Sequence, residues 1–292
     1  MTLIPSTEAE DFMDFQKDYD KNQGNIINKD DYWYYNDKTH VTNSHLSQLI
    51  KGGPQTLKAY YEKGSEDNDA FAFGRAAHCL LLEPDSFNQR FYSIDDTEIC
   101  IEASGEDWKE KNKSPRATKI YKEWLAEILE ENSHRQLLSL DDFTDINNMV
   151  DKAMGYTQVR ELVESASKRE VIYSKTINGI KTKCKVDAIN PSNFILDYKT
   201  SRDAATLRNF SISAKKYGYP RQGAFYRDIT GVTSFWFLVQ EKTYPYTVCL
   251  AELSPDTYEE GKMQYQNALE QYKLHFINNP KLIDSYLEMG SI

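Results

Sequence analysis

Asp187, Asp197 and Lys199 are the residues whose types and spacing most directly suggest chemistry. Phe194-Ile195-Leu196-Asp197-Tyr198-Lys199 reads as a strand. Alternation puts Asp197 and Lys199 on one face and Phe194, Leu196 and Tyr198 on the other. The preceding run, Ile180 to Ile189, places Lys181, Lys183, Lys185 and Asp187 opposite a mostly apolar face of Ile180, Thr182, Cys184, Val186 and Ala188. Pro191-Ser192-Asn193 turns one run into the next. The two are expected to pair as a hairpin and to bring two carboxylates and a lysine onto one sheet surface. Carboxylates so placed repel, and one pKa rises unless a cation lies between them. Hard oxygens with open positions suit Mg²⁺ or Mn²⁺. A neighbouring ammonium can orient a water and stabilise negative charge at a phosphorus centre. Alone, Asp-x-Lys on a strand is more often a solvated face. Asp187 on the matching face weighs against that, as do Ile195 and Leu196, which mark a central strand where unpaired charge is costly.

These residues need a sheet behind them, and the second half of the chain supplies it. Val171-Ile172-Tyr173 opens a β-like run just after Glu170, and Asn178-Gly179 is a strong two-residue hairpin signal. After the strand ending near Lys199, helices are expected over about 203–215 and 219–230. Strands follow over Ser234 to Gln240 and Tyr246 to Leu250, then a long helix from about Pro255 to Phe276. The first half reads as helices. Ser44 can cap one carrying Leu46, Leu49 and Ile50, which Gly52-Gly53 ends. Pro54 suits the first turn of the next, through about Lys63. A third runs from Asp69 through Gly74 and His78 to a stop at Pro84. Residues 93–113 read as a loop. Ser114-Pro115 opens an amphipathic helix with Ile120, Trp124, Leu125 and Ile128 on one side, and one or two more fill 141–165. The order predicts an α/β core sheet at 169–292 with a helical N-terminal layer at 41–168. Residues 1–40, acidic and carrying Tyr32-Trp33-Tyr34-Tyr35, are expected to form an arm that packs its aromatics on the domain.

Composition narrows the classes. With 292 residues, 40% hydrophobic and 27% charged, the chain fits a globular protein rather than a disordered one. Its 35 basic and 45 acidic residues give a net charge of −10. That argues against a general polycation but leaves a nucleic-acid enzyme open, because binding follows where positive charge sits. No apolar run is long enough to span a membrane, and Met1-Thr2-Leu3-Ile4-Pro5 opens no signal peptide. Cys79, Cys100, Cys184 and Cys249 are far apart, as in a reducing cytosol. Their spacing speaks against a zinc ribbon or a cysteine-ligated iron–sulfur cluster. A cytoplasmic location is the expectation.

Asp187 followed by Asp197-Tyr198-Lys199 resembles the Asp…(Asp/Glu)-x-Lys motif of the PD-(D/E)xK nuclease superfamily, with Val186 where the nominal proline would stand. Gly74-Arg75-Ala76-Ala77-His78, followed by Leu82-Glu83-Pro84, resembles the Gly-x-x-x-His helix of RecB-type and RecE-type exonucleases. Gln222 and Tyr226 match their Gln-x-x-x-Tyr helix. The likeness is closest to the RecE (exodeoxyribonuclease VIII) group and runs from about Thr42 to the final helix. It implies a restriction-endonuclease-like core, a mixed central sheet flanked by helices, with 41–292 as a single nuclease domain. It also implies His78 as a neutral imidazole ligand beside Asp187 and Asp197, with the Tyr198 backbone carbonyl as a further ligand. Gln222 would hydrogen-bond near the site, and Tyr226 would contact the DNA backbone or support Lys199. Glu170 is a candidate acidic group for a second metal, and Gly74 would let its helix approach the sheet or DNA. His78 otherwise reads as a core or capping histidine. His40, His45, His134 and His275 match no constellation, and Cys79 is too soft a donor for Mg²⁺ and reads as core.

The implied activity is Mg²⁺- or Mn²⁺-dependent hydrolysis of linear duplex DNA from 5′ ends, leaving 3′ single-stranded tails for recombination. The same resemblance implies a ring-like homo-oligomer, a single-strand annealing partner and the cytoplasm of a bacterial or phage-infected cell. An endonuclease, a single-strand or flap nuclease, and a DNA-binding module with a decayed site are the alternatives on this core. Lys181, Lys183 and Lys185, spaced roughly 6.5–7 Å apart on one strand face, form a row that would lead a phosphate backbone toward Asp187. The alternative is a solvated row that blocks edge pairing, in which case Lys215, Lys216 and Arg221 offer another DNA track.

Overall fold

Asn178 and Gly179 take φ values of 51° and 81°, the left-handed pair that a two-residue type I′ hairpin requires. That turn sets the register of the two strands bearing Glu170 and Asp187. The computed structural model describes residues 24–64, 69–111 and 113–288. Residues 1–23 of the expected arm lie outside the described residues.

The chain starts with β1 (Asn25–Ile26), α1 (Asp31–Asn36), α2 (Asn43–Lys63), α3 (Asp69–Leu82) and α4 (Pro84–Arg90). β2 (Phe91–Ser93), α5 (Thr97–Ser104), α6 (Lys119–Glu131), β3 (Gln136–Leu138), α7 (Leu140–Met154) and α8 (Thr157–Ser165) follow. The second half holds β4 (Lys168–Ile177), β5 (Ile180–Asn190), β6 (Phe194–Ser201), α9 (Leu207–Tyr217) and α10 (Tyr219–Thr230). It closes with β7 (Ser234–Glu241), β8 (Val248–Glu252) and α11 (Pro255–Tyr272).

The main sheet has six strands in the order β1-β4-β5-β6-β7-β8. Only β6 and β7 run parallel; the other pairs are antiparallel. This is the mixed sheet expected. α10 and α11 cover one face through Phe225, Ile229, Tyr265 and Leu269. α3, α7 and α8 cover the other through Ala76, Ala77, Ile146, Met149 and Val159. Burial of such apolar faces, at roughly 25 cal/mol per Å², is what holds the layers together.

Some boundaries differ from those expected. The cap of α2 is Thr42, whose side chain accepts from the His45 N–H while His45 returns the contact, so Ser44 lies inside the helix. The predicted break at Gly52-Gly53 is present as a kink, with Gly53 at φ 73°. Residues 93–113 are not a plain loop, because α5 buries Ile99 and Cys100 against Tyr121. Its two buried residues give too short a pattern to recognise as a helix.

Two features shape the surroundings of Asp187 and Asp197. β5 and β6 pair only at Ala188↔Leu196, Ile189↔Ile195 and Asn190↔Phe194. Beyond these, β6 continues beside β7 to Ser201↔Glu241, while β5 diverges and takes Val41 as its neighbour at Thr182. The Val41 N–H donates to the Lys181 carbonyl at 2.8 Å, and the Lys183 N–H to the Val41 carbonyl at 2.9 Å. The sheet therefore forks. The second feature is a strap. Residues 25–26 pair with the outer edge of β4, α1 crosses the hairpin face, and Val41 fills the inner edge of β5. Of the aromatic run, Trp33 and Tyr34 lie over Lys183 Nζ, at 4.4 and 5.0 Å from the ring centroids, while Tyr32 and Tyr35 are exposed.

Candidate metal centre

Asp187 and Asp197 are the first residues past the fork on their strands. At that point the Tyr198 N–H turns to a side chain and donates to Asp187 Oδ2 at 2.8 Å. His78, on α3 above the sheet, places Nδ1 3.5 Å from the same oxygen, and its ring packs 5.0 Å from that of Tyr198. The register Arg169↔Ala188 and Val171↔Val186 sets Glu170 across from Asp187. Glu170 has φ 53°, a left-handed conformation that costs a non-glycine residue about 1–3 kcal/mol and concentrates at functional sites. One donor atom each from His78, Glu170 and Asp187 lie within 4.8 Å of one another. Glu170, expected as an acidic group for a second metal, thus shares one cluster with His78 and Asp187.

Asp197 lies beside this trio and is almost fully buried. Gln222 Nε2, on α10, donates to its Oδ1 at 2.6 Å. Its buried Oδ2 lies 2.6 Å from Lys199 Nζ, and this ion pair is its contact among the described residues.

Electrostatics follow from burial. Desolvation pushes Asp197 up to about 6; Lys199 opposes the rise and the Asp187 charge adds to it. Asp187 and Glu170 are also raised, first by burial, and Glu170 further by Asp187. Burial alone would lower Lys199, but the Asp197 and Asp187 carboxylates outweigh it and raise its pKa, so Lys199 is cationic. Burial, then Lys199, lowers His78, with the Glu170 and Asp197 carboxylates working the other way. His78 is thus neutral at pH 7, with its ring nitrogens free of extra protons.

Such crowding of carboxylates is unfavourable without a compensating charge. The buried Asp197 carboxylate, the raised acids and the neutral imidazole together fit a divalent cation. A set of oxygen donors with one imidazole suits Mg²⁺ or Mn²⁺.

Several of the expected roles change. Lys183 is fully buried. Its Nζ donates to the Tyr34 carbonyl (2.7 Å), the Asp37 carbonyl (3.2 Å) and Asp37 Oδ2 (3.1 Å), and it lies 4.4 Å from the Trp33 ring centroid. A buried ammonium costs on the order of several kcal/mol unless paired, which explains this wrapping. Lys185 bridges Glu170 Oε2 and Asp31 Oδ1, both at 2.6 Å. Only Lys181 of the row is exposed, so the three lysines do not form a surface track for phosphates. Alternation identifies their face correctly, but α1 covers it. Tyr226 is buried against Phe235 and is not placed to touch DNA. The close-approach role for Gly74 also falls: a Cβ there would meet only Thr200 Oγ1, at 3.9 Å, an ordinary contact. Arg221 is buried and donates to Asn43 and Ser47, which removes it from the alternative track. Tyr219, whose ring centroid is 5.2 Å from Lys199 Nζ, belongs to no motif in the sequence. Its place next to Gly218, a left-handed helix stop, is the available signal.

His78→Ala is expected to weaken Mn²⁺ binding by at least about 10-fold with little loss of melting temperature, since the side chain is 27% exposed. Calorimetric titration beside a thermal melt checks this. Unchanged Mn²⁺ affinity with a collapsed melt would make His78 a packing residue.

A family model for the PDDEXK-like domain of unknown function (DUF3799) matches residues 43–279. No curated protein matches the chain. A solved structure from Eubacterium rectale, provisionally described as an exonuclease, superposes with a TM-score of 0.55 at 15% identity, covering 90% of this chain and 89% of that one. At that identity the likeness speaks to the fold. A phage-related exonuclease from Haemophilus somnus 129PT gives a TM-score of 0.29 at 14% identity over 64% of this chain and 96% of that one, too low to carry an argument. The forked mixed sheet, its flanking helices and the family match agree with the Asp187, Asp197-Tyr198-Lys199 motif: the chain belongs to the PDDEXK-like family.

Proposed function

We propose that the protein is a divalent-metal-dependent deoxyribonuclease that degrades linear duplex DNA from its ends in the manner of RecE-like exonucleases. The observation that carries this is the buried carboxylate of Asp197, ion-paired with Lys199 at 2.6 Å beside two more raised carboxylates. Asp187, Asp197, His78 and the Tyr198 carbonyl would hold Mg²⁺ or Mn²⁺, with Glu170 serving a second ion. The cation would supply Lewis acidity and neutralise charge developing on the phosphodiester. Lys199 enters the reaction as a cation, suited to orienting the attacking water and stabilising a phosphoryl oxygen. Gln222 fixes the Asp197 carboxylate so that Oδ2 keeps its direction. Hydrolysis would leave a 5′-phosphate and a 3′-hydroxyl, and 5′-to-3′ digestion would expose 3′ tails for recombination. A single-strand annealing protein, a ring-like homo-oligomer and the cytoplasm of a bacterial or phage-infected cell complete the reading. No described helix is long and apolar enough to cross a membrane.

The test is a gel of end-labelled linear duplex beside closed circular duplex, with and without Mg²⁺. Loss of the linear substrate alone, and only with Mg²⁺, is expected. Nicking of the circle at a comparable rate would move the protein to an endonuclease. Cleavage of neither would leave a DNA-binding module.

A further inference from the structure

The corner between α9 and α10 carries an alternation of cations and rings that starts at Lys199 and reaches solvent. Lys199 Nζ lies 5.2 Å from the Tyr219 ring centroid. The Tyr219 and Tyr217 rings are 5.8 Å apart and tilted by 34°. Lys216 Nζ lies 5.2 Å from the Tyr217 centroid. Gly218, at φ 71°, ends α9 and brings both tyrosines to one side of the corner. A Cβ there would come within 2.7–2.9 Å of the Arg221 guanidinium, so the corner is built for glycine. Tyr219 is anchored by stacking on Phe210 and Phe237, whereas Tyr217 is 55% exposed with no such anchor among the described residues. Tyr217 thus presents a ring to water beside Lys216, one ring beyond Tyr219 and Lys199.

Single-strand binding surfaces combine this pair of chemistries: rings that stack on bases and cations that follow phosphates. We propose that Tyr217 and Lys216 form a nucleotide subsite adjoining the scissile position, with Tyr217 stacking on an unpaired base and Lys216 contacting a neighbouring phosphate. The strand being cut is then single-stranded where it passes Lys199, and Tyr217 is a positioning residue. This rests on the deoxyribonuclease reading above.

The test measures binding of a fluorescent single-stranded oligonucleotide and of a blunt duplex in Ca²⁺, together with Mg²⁺-dependent kinetics. Tyr217→Ala should weaken single-strand binding roughly 5- to 160-fold and raise KM with little change in kcat. Tyr217→Phe should restore both, because the ring is kept. Lys216→Gln should lower the slope of log affinity against log salt by about 0.7, the value for one phosphate contact on a single strand. Wild-type-like binding and KM in Tyr217→Ala, with wild-type protein still cleaving, would overturn the subsite and leave the nuclease reading standing. Failure of the wild-type protein to bind or cut any DNA would overturn both. Equal losses in Tyr217→Ala and Tyr217→Phe would assign the effect to the hydroxyl and overturn stacking.

Discussion

Asp187→Asn is expected to lower Mg²⁺-dependent cleavage by about 10³-fold while raising the melting temperature of the metal-free protein at neutral pH. The first effect is the several kcal/mol of charge stabilisation that a correctly held cation supplies. The second follows from burial. Asp187 and Glu170 both have folded-state pKa values above their ordinary ones. A raised acid contributes stability that is complete below its unfolded pKa, near about 4, and that is lost as pH rises through the folded value. Asparagine keeps an oxygen for the Tyr198 N–H, which Asp187 accepts at 2.8 Å, but it carries no charge to desolvate. The gap between variant and wild type should therefore be absent in acid and open toward neutrality. Mg²⁺ or Mn²⁺ should then raise the melting temperature of the wild type and not of the variant. Melts in chelator across pH, repeated with metal, decide the matter. A variant that is less stable at every pH, or that still responds fully to metal, would remove Asp187 from the centre.

Lys199→Ala is expected to reduce turnover by about 10²–10⁴-fold, the range for loss of a group that assists proton transfer. The sequence alone separates the lysine from metal binding; the structure couples them. Lys199 opposes the rise of Asp197, which burial pushes up to about 6. Removing the ammonium lets that pKa climb further, so metal must compete with a proton up to a higher pH. The variant should bind metal normally in alkaline solution and progressively less well as pH falls through neutrality, at pH values where the wild type still binds. Turnover should stay low even where metal binding is complete. Recovery of wild-type turnover at high pH would reduce Lys199 to an electrostatic support for Asp197.

The acidic pair and Lys199 are legible in the sequence because strand alternation is local and the turn at 191–193 is readable. Glu170 is legible too, by hairpin arithmetic: it lies as far before Asn178 as Asp187 lies after Gly179, and the register agrees with that pairing. The strand fork is not legible, since it depends on Val41 competing with β6 for one edge of β5. The lysine row shows the general limit. Alternation says which face Lys183 is on, but the side chains that enclose it come from Trp33, Tyr34 and Asp37. The same holds for Lys185, whose two partners come from β4 and from α1. Residues close in space but distant in sequence leave no periodic trace.

The strap has a consequence for biosynthesis. The bond from Lys183 to the Tyr34 carbonyl spans 149 residues. At roughly 5–20 residues per second, the ribosome needs about 7–30 s to make the partner. Trp33 and Tyr34 of α1 thus leave the ribosome well before Lys183 and wait for it until the β4–β5 hairpin emerges. Pairing this distant in sequence is slow in any case. The nascent chain therefore passes through a period in which Trp33 and Tyr34 are open to chaperones or to other chains, which ends only when the strand bearing Lys183 has been made.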